Sequence, residues 1–272
     1  MALIHINFES QYLNGNTDVN IIVPDKPRKT APADFYTGNT KYPVLWLLHG
    51  TYGDYSDWIR KSNIELYAAE KNLIVVMPSG LNANYSDWDS MMGYNMYSYL
   101  TEELMPLVYG WLPASDRRED NFISGLSMGG EGALKYAVNH PDKFGAVAVL
   151  SMYPRDWKNM PPEKIPDDKR NLNSYKNAGG WEKFVNSYED IRGTLVKEKN
   201  TGNLPKMYFA CGDRDFLYKG YTAFKKWAED EKLDILFEEI PGYKHEWRFW
   251  DIAIQKALDF FGLENKPEED PF

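Results

Sequence analysis

A serine flanked by glycines, in Gly125-Leu126-Ser127-Met128-Gly129, has the spacing typical of a catalytic nucleophile. A short apolar stretch over 121–124 precedes this motif, and a helical pattern follows it. A sharp turn between strand and helix exposes the serine hydroxyl, and glycines let the two backbones approach closely. The motif therefore predicts a nucleophile elbow with Ser127 at its tip.

A serine hydroxyl is a weak nucleophile, so a general base must accept its proton. The chain order that accompanies this motif is serine, acid, histidine. Of the four histidines, only His245 follows both the serine and the candidate acids; the others are His5, His49 and His140. His245 lies in the loop 241–245, between the last predicted strand and the last predicted helix. We expect it to be the base.

The acid that orients the base should follow a strand between Ser127 and His245. The apolar run 207–210 leads into Cys211-Gly212-Asp213-Arg214-Asp215, which places two aspartates at the carboxyl end of a strand. One aspartate would hold the imidazole, and the other would form a turn or pair with Arg214. The residues alone leave the choice between Asp213 and Asp215 open.

Acyl transfer also requires donors for the oxyanion that develops on the carbonyl. The backbone N–H of Met128 follows the nucleophile and lies at a helix N-terminus, which favours negative charge. The second donor should come from the loop after the third strand, here Leu48-His49-Gly50-Thr51-Tyr52-Gly53. We expect Met128 and Thr51 to form the oxyanion hole.

Strands and helices alternate along the chain, which predicts a mostly parallel sheet with helices on both faces. The run Val44-Leu45-Trp46-Leu47-Leu48 is continuously apolar, as in a strand covered on both faces. The expected strands are 3–8, 19–23, 44–48, 73–77, 121–124, 146–150, 207–210 and 235–240. The expected helices are 59–70, 96–108, 128–139, 221–231 and 247–261.

The expected organisation is a single α/β domain over 1–262 followed by an acidic, flexible tail over 263–272. The stretch of about 152–203 breaks the alternation and is rich in proline and glycine. Its aromatic residues favour an ordered cap over the site rather than a disordered surface loop; they are Tyr153, Trp157, Tyr175, Trp181 and Phe184.

Composition narrows the class of protein. The 272 residues are 43% hydrophobic, and the net charge of −9 argues against nucleic acid or an anionic membrane as a partner. The first eight residues resemble a strand rather than a signal peptide, and no apolar run reaches the length of a membrane span. Cys211 is the single cysteine, so no intrachain disulfide can form, which fits a reducing compartment. These features predict a cytoplasmic protein, and they leave a homo-oligomer open. Asp87 and Asp89 lack a third ligand, so we expect no metal and no cofactor.

Several motifs together resemble the esterase D-type family of α/β-hydrolases. The motifs are Leu47-Leu48-His49-Gly50, Asp57-Trp58, Thr101-Glu102-Glu103-Leu104, the segment 125–130 around Ser127, the segment 211–217 and the segment 241–247. The chain is most similar to small bacterial tributyrin-type carboxylesterases, which are related to feruloyl esterases and S-formylglutathione hydrolases. The resemblance implies an α/β-hydrolase fold with an eight-stranded sheet and a small cap. It also implies that Asp215, the third residue after the glycine, is the acid.

The predicted function is a serine carboxylesterase that acts on small soluble esters with short acyl chains. Alternatives are a feruloyl or acetyl-xylan-type esterase, an S-formylglutathione hydrolase, and a catalytically silent binding module with the same fold. Loop aromatics could line a substrate pocket, although packing explains each of them as well; they are Tyr52, Trp58, Trp88, Trp157 and Trp181.

Overall fold

The computed structural model describes residues 1–90, 93–160 and 169–265, without the side chains of 169–171. Its strands are β1 (Ala2–Ser10), β2 (Gly15–Val23), β3 (Val44–Leu48), β4 (Ile74–Pro78), β5 (Asp87–Trp88), β6 (Tyr94–Asn95), β7 (Asn121–Leu126), β8 (Ala146–Leu150), β9 (Lys206–Gly212) and β10 (Ile235–Ile240). Eight of them form one sheet in the order β1-β2-β4-β3-β7-β8-β9-β10, in which β2 is antiparallel to both neighbours and the other pairs are parallel. The predicted α/β fold with eight strands is confirmed. The short strands β5 and β6 form a separate hairpin.

The helices cover both faces of this sheet. They are α1 (Pro32–Phe35), α2 (Asp57–Lys61), α3 (Ile64–Lys71), α4 (Met96–Ser98), α5 (Met105–Trp111), α6 (Met128–Asn139), α7 (Lys169–Asn177), α8 (Trp181–Val185), α9 (Ile191–Glu198), α10 (Tyr218–Asp230) and α11 (Trp247–Phe260). A π-helical segment, Tyr99–Leu104, joins α4 to α5. The helix expected over 59–70 is divided into α2 and α3 because Ser62 is extended and its hydroxyl bonds to the carbonyl of Trp58.

Two hydrophobic cores lie on opposite faces of the sheet. Val44, Trp46 and Leu48 of β3 contribute to the core that packs under α5, α6, α9 and α10. Leu45 and Leu47 of the same strand contribute to the core under α3 and α11. Because successive side chains of a strand point to opposite faces, burial on both sides requires the continuous apolar run seen in β3.

The insertion expected to form a cap contains α7, α8 and α9 in its described part. Trp157, Phe184 and Val185 are buried together in a small third core. Ile191 and Leu195 of α9 are buried in the first core, and α9 packs against α6. Residues 161–168 of the insertion and 266–272 of the expected tail lie outside the described residues.

A buried ion pair joins the insertion to α6. Lys135 of α6 lies 2.8 Å from Glu189, which precedes α9, and both side chains are almost fully buried. The Lys135 ammonium also donates to the Ser86 hydroxyl at 2.8 Å and to the Asn84 carbonyl at 2.9 Å. Paired buried charges keep two elements in register because separating them would leave each charge uncompensated. No helix in the described part of the chain is long and apolar enough to span a membrane.

Candidate active site

Ser127 occupies a strained turn between β7 and α6. Its backbone φ is 52° and its ψ is −119°, and it lies between the last residue of β7 and the first residue of α6. A Cβ on Gly125 would lie 2.4 Å from the carbonyl of Gly129, and a Cβ on Gly129 would lie 2.5 Å from the carbonyl oxygen of Leu48. Both glycines are therefore required by close backbone approach, as expected for a nucleophile elbow.

His245 and Asp215 form a hydrogen-bonded pair. The Nδ1 atom of His245 lies 2.8 Å from Oδ2 of Asp215, whose carboxylate is fully buried. The other carboxylate oxygen accepts the backbone N–H of Leu217 at 2.8 Å, which fixes the acid. With Nδ1 engaged by Asp215, Nε2 is the nitrogen of His245 that can accept a proton.

Asp213, the second acid candidate, lies in a different environment. One of its carboxylate oxygens accepts the backbone N–H of Gly242 at 2.7 Å. This bond joins the loop after β9 to the loop after β10. Asp213 therefore cross-links two loops, and the bond that it makes is not with His245.

Aromatic rings hold the imidazole of His245. The Trp250 ring packs edge-on against it at a centroid distance of 5.0 Å, and the Phe216 ring lies 4.6 Å away. The indole N–H of Trp250 donates to the Ser151 hydroxyl at 2.9 Å, which fixes Trp250. Phe216, Ser151 and Trp250 were not predicted from the sequence as site residues, although Phe216 and Trp250 lie close in sequence to Asp215 and His245.

Buried His49 supports the loop that contains Thr51. The backbone N–H of Gly80 donates to Nε2 of His49 at 2.7 Å, so Nδ1 carries the proton and donates to the Gly50 carbonyl at 2.7 Å. Burial lowers the pKa of His49, which favours this neutral form. His49 thus connects the loop after β3 to the loop after β4.

The cavity above Ser127 has a volume of about 530 Å³. It is lined by Ser127 and His245 and by the two expected oxyanion donors, Thr51 and Met128. Of the five aromatic candidates, Tyr52 lines it, whereas its other aromatic walls are Phe216, Trp247 and Trp250.

The structure places the remaining aromatic candidates in packing positions. Trp58 is buried in the second core, and its indole N–H donates to the Leu48 carbonyl at 3.1 Å. Trp157 is buried in the third core, where Trp181 packs against it. Trp88 packs against the first core. None of these four tryptophans is among the residues that line the cavity above Ser127, because each packs against apolar neighbours. In the described ranges, no group of three or more His, Cys, Asp or Glu side chains is arranged to hold a metal.

The sheet order and the serine elbow define an α/β-hydrolase fold. Residues 10–258 match the model of an esterase family described as "putative esterase", so the chain belongs to that family, and it is an ester hydrolase. An acetyl esterase of Caldicellulosiruptor saccharolyticus is 34% identical over 267 residues, which are 96% of this chain and 98% of the relative.

Solved structures of serine hydrolases share this fold. FphF, a fluorophosphonate-binding serine hydrolase of Staphylococcus aureus, superposes with a TM-score of 0.80 at 28% identity. The S-formylglutathione hydrolase FrmB of the same organism superposes with a TM-score of 0.79, also at 28% identity. In both cases the match covers 96% of this chain and 98% of the other.

Proposed function

We propose that this ester hydrolase is a serine carboxylesterase for small esters with short acyl chains, with Ser127, His245 and Asp215 as its catalytic triad. The observation that carries the proposal is that Ser127, on a strained elbow, shares one cavity with a histidine bonded to a buried carboxylate. The similarity to an acetyl esterase supports a short acyl group.

In the first half of the proposed reaction, Ser127 Oγ attacks the ester carbonyl carbon while His245 Nε2 accepts the hydroxyl proton. The carbonyl oxygen becomes an oxyanion that accepts hydrogen bonds from the backbone N–H groups of Thr51 and Met128. When the tetrahedral intermediate collapses, the bond to the alkoxy oxygen breaks. The alcohol leaves with the proton from His245, and the acyl group stays on Ser127.

The second half of the reaction regenerates the enzyme with the same groups. His245 Nε2 takes a proton from water, and the hydroxide attacks the acyl carbon. The bond to Ser127 Oγ then breaks, and His245 returns its proton to the serine oxygen. Asp215 remains ionised throughout and stabilises the imidazolium that forms twice in each cycle.

The nucleophile is tested by Ser127→Ala, measured on p-nitrophenyl acetate. Turnover should fall by several orders of magnitude, about 10⁶-fold by the serine protease precedent, because no covalent intermediate can form. A fluorophosphonate probe should label the wild type and not the variant, with circular dichroism as the check on folding. Near-normal esterase activity in a folded Ser127→Ala sample would contradict the assignment.

Acyl preference is tested by comparing p-nitrophenyl acetate, butyrate and octanoate with methyl ferulate. The short-chain proposal expects the highest kcat/KM for acetate or butyrate. The aromatic wall residues Tyr52, Trp247 and Trp250 favour the second candidate, a feruloyl or acetyl-xylan-type esterase, for which methyl ferulate would be the best substrate.

Two other candidates have their own discriminating measurements. The similarity to FrmB favours an S-formylglutathione hydrolase, and rapid hydrolysis of S-formylglutathione would support it. A catalytically silent binding module would give a folded wild-type protein that the fluorophosphonate probe does not label.

We also propose a single domain, a cytoplasmic location, activity without metals or cofactors, and a homo-oligomer. A single domain over 1–262 should unfold in one cooperative transition in urea. Cytoplasmic location is tested by cell fractionation. If no metal or cofactor is needed, activity should remain after dialysis against a chelator. Light scattering measures the molar mass and so tests for a homo-oligomer.

A further inference from the structure

Two ion pairs border the cavity above Ser127. Lys61 lies 2.8 Å from Asp57, and Arg155 lies 3.1 Å from Glu131. In each pair the cation is the more exposed partner: 41% against 12% for the first, and 15% against 6% for the second. Both cations line the cavity. Asp57 lines the cavity together with Lys61, whereas Glu131, the partner of Arg155, is not among the lining residues.

Arg155 is held in place from two sides. Its Nη1 donates to Glu131, which lies one helical turn after Ser127 on α6 and donates its backbone N–H to the Ser127 carbonyl at 3.1 Å. The guanidinium also lies 5.3 Å from the ring centre of Trp157, a distance typical of a cation–π contact. The helix that positions the nucleophile therefore also positions this cation.

Arg155 retains donors for a ligand. A guanidinium has five N–H groups in a fixed plane. Within the described ranges the acceptor of Arg155 is Glu131, which is bonded through Nη1, and neither Nε nor Nη2 has a protein acceptor there. The edge of the guanidinium that carries Nε and Nη2 has the spacing to donate to both oxygens of a carboxylate.

We propose that the substrate is an ester that also carries a carboxylate, and that Arg155 binds this carboxylate. The proposal rests on the esterase function proposed above. Lys61 also lines the cavity, but its partner Asp57 lines it too, so the proposal assigns the carboxylate to Arg155 alone. A purely structural role for Arg155, in which it only neutralises Glu131, would leave the choice between anionic and neutral esters unchanged.

The test uses esters that differ only in charge. Monoethyl glutarate is compared with ethyl glutaramate, in which an amide replaces the carboxylate of the acyl part. O-acetylglycolate is compared with O-acetylglycolamide, in which the same change is made in the alcohol part. In one of the two pairs the carboxylate should reach Arg155. In that pair the wild type should hydrolyse the anionic ester with a kcat/KM about tenfold to hundredfold higher than the neutral amide analogue, as charge-assisted hydrogen bonds allow.

Variants then assign the preference to Arg155. In Arg155→Gln the anionic-to-neutral ratio of kcat/KM should fall about tenfold or more, and Arg155→Lys, which retains the charge, should keep part of it. Arg117→Gln is the matched control because it removes an exposed arginine paired with Asp120 outside the cavity. Its ratio should equal that of the wild type.

The outcomes separate this proposal from the esterase function. Equal kcat/KM values within both pairs of esters in the wild type, or an unchanged ratio in Arg155→Gln, would overturn the role of Arg155 and leave the esterase standing. Hydrolysis of none of the four esters, together with no fluorophosphonate labelling, would overturn both.

Discussion

At the scale of single residues, Asp215 would determine which nitrogen of His245 acts as the base in the proposed mechanism. Its buried carboxylate accepts from Nδ1, and its second oxygen is occupied by the Leu217 N–H. The carboxylate therefore cannot rotate away without breaking a second bond. In the proposed mechanism the Asp215 oxygen must accept a hydrogen bond from Nδ1 of His245, so both its negative charge and its role as an acceptor matter.

Asp215→Asn should lower kcat by about 10⁴-fold, by the serine protease precedent. The asparagine oxygen can keep the Leu217 N–H, so the amide nitrogen faces His245 and donates to Nδ1. This stabilises the tautomer that carries its proton on Nε2, which cannot act as a base. The measurement is steady-state hydrolysis of p-nitrophenyl acetate.

Asp213→Asn is the matched control for this prediction. Asparagine keeps the oxygen that accepts the Gly242 N–H, so the variant should retain most of its activity. Similar losses in the two variants would show that Asp215 does not have the role assigned to it.

At the scale of elements, the elbow depends on how closely α6 approaches β7 and β3. Gly125→Ala places a methyl group 2.4 Å from backbone atoms of Gly129, which no side-chain rotation can relieve. We expect a loss of about 1–3 kcal/mol in the free energy of unfolding. We also expect kcat to fall about 10²-fold or more, because Ser127, the proposed nucleophile, is displaced. Urea unfolding and ester hydrolysis measure the two effects.

Gly110→Ala provides the control for a glycine that no contact requires. Gly110 lies within α5, and a Cβ there meets nothing within 4 Å. Alanine should stabilise the protein by about 0.5–1 kcal/mol through its helix propensity, with turnover unchanged. Full activity in Gly125→Ala would contradict the close-approach argument.

The sequence predicted best those elements whose pattern is long and local. β3 is continuously apolar because both faces are covered, and α6 begins and ends where its pattern does. The hairpin β5–β6 has strands of two residues, which are too short to carry a period. α9 was not predicted because the proline and glycine residues around it suggested irregular structure. Its burial comes from packing on α6, a tertiary contact that the sequence does not show.

The residues of the candidate site can be proposed from the sequence where a motif contains them, but not where tertiary structure brings them together. The residue spacing alone could not separate Asp213 from Asp215, since both follow the same strand. The roles of His49 and Arg155 depend on partners far along the chain or across the cavity: Gly80 for His49 and Glu131 for Arg155. No local pattern marks such contacts.

At the scale of the whole molecule, buried His49 makes stability depend on pH. Burial lowers its folded pKa below the ordinary value of 6.5, so the unfolded chain binds a proton more readily than the folded one. The free energy of unfolding is therefore unaffected by this group above about pH 7. It decreases as the pH falls below about 6.5 towards the folded pKa.

His49→Gln isolates this contribution, since glutamine can donate and accept but does not titrate. The variant should be less stable than the wild type at about pH 7.5. Below about pH 6.5 the difference should shrink by up to about 1.4 kcal/mol per pH unit, because only the wild type then loses stability through His49. Urea unfolding across this range provides the measurement, and a difference that stays constant with pH would refute the argument.

The ion pair between Lys135 and Glu189 limits how this enzyme can be rebuilt by exchange of segments. A graft that replaces the insertion but omits Glu189 would leave Lys135 as an isolated buried charge, at a cost of about 3–5 kcal/mol. New specificities are therefore more easily acquired by changing the residues before Glu189 than by transplanting the whole insertion. The insertion and α6 should therefore be exchanged together, because each supplies one charge of the buried pair.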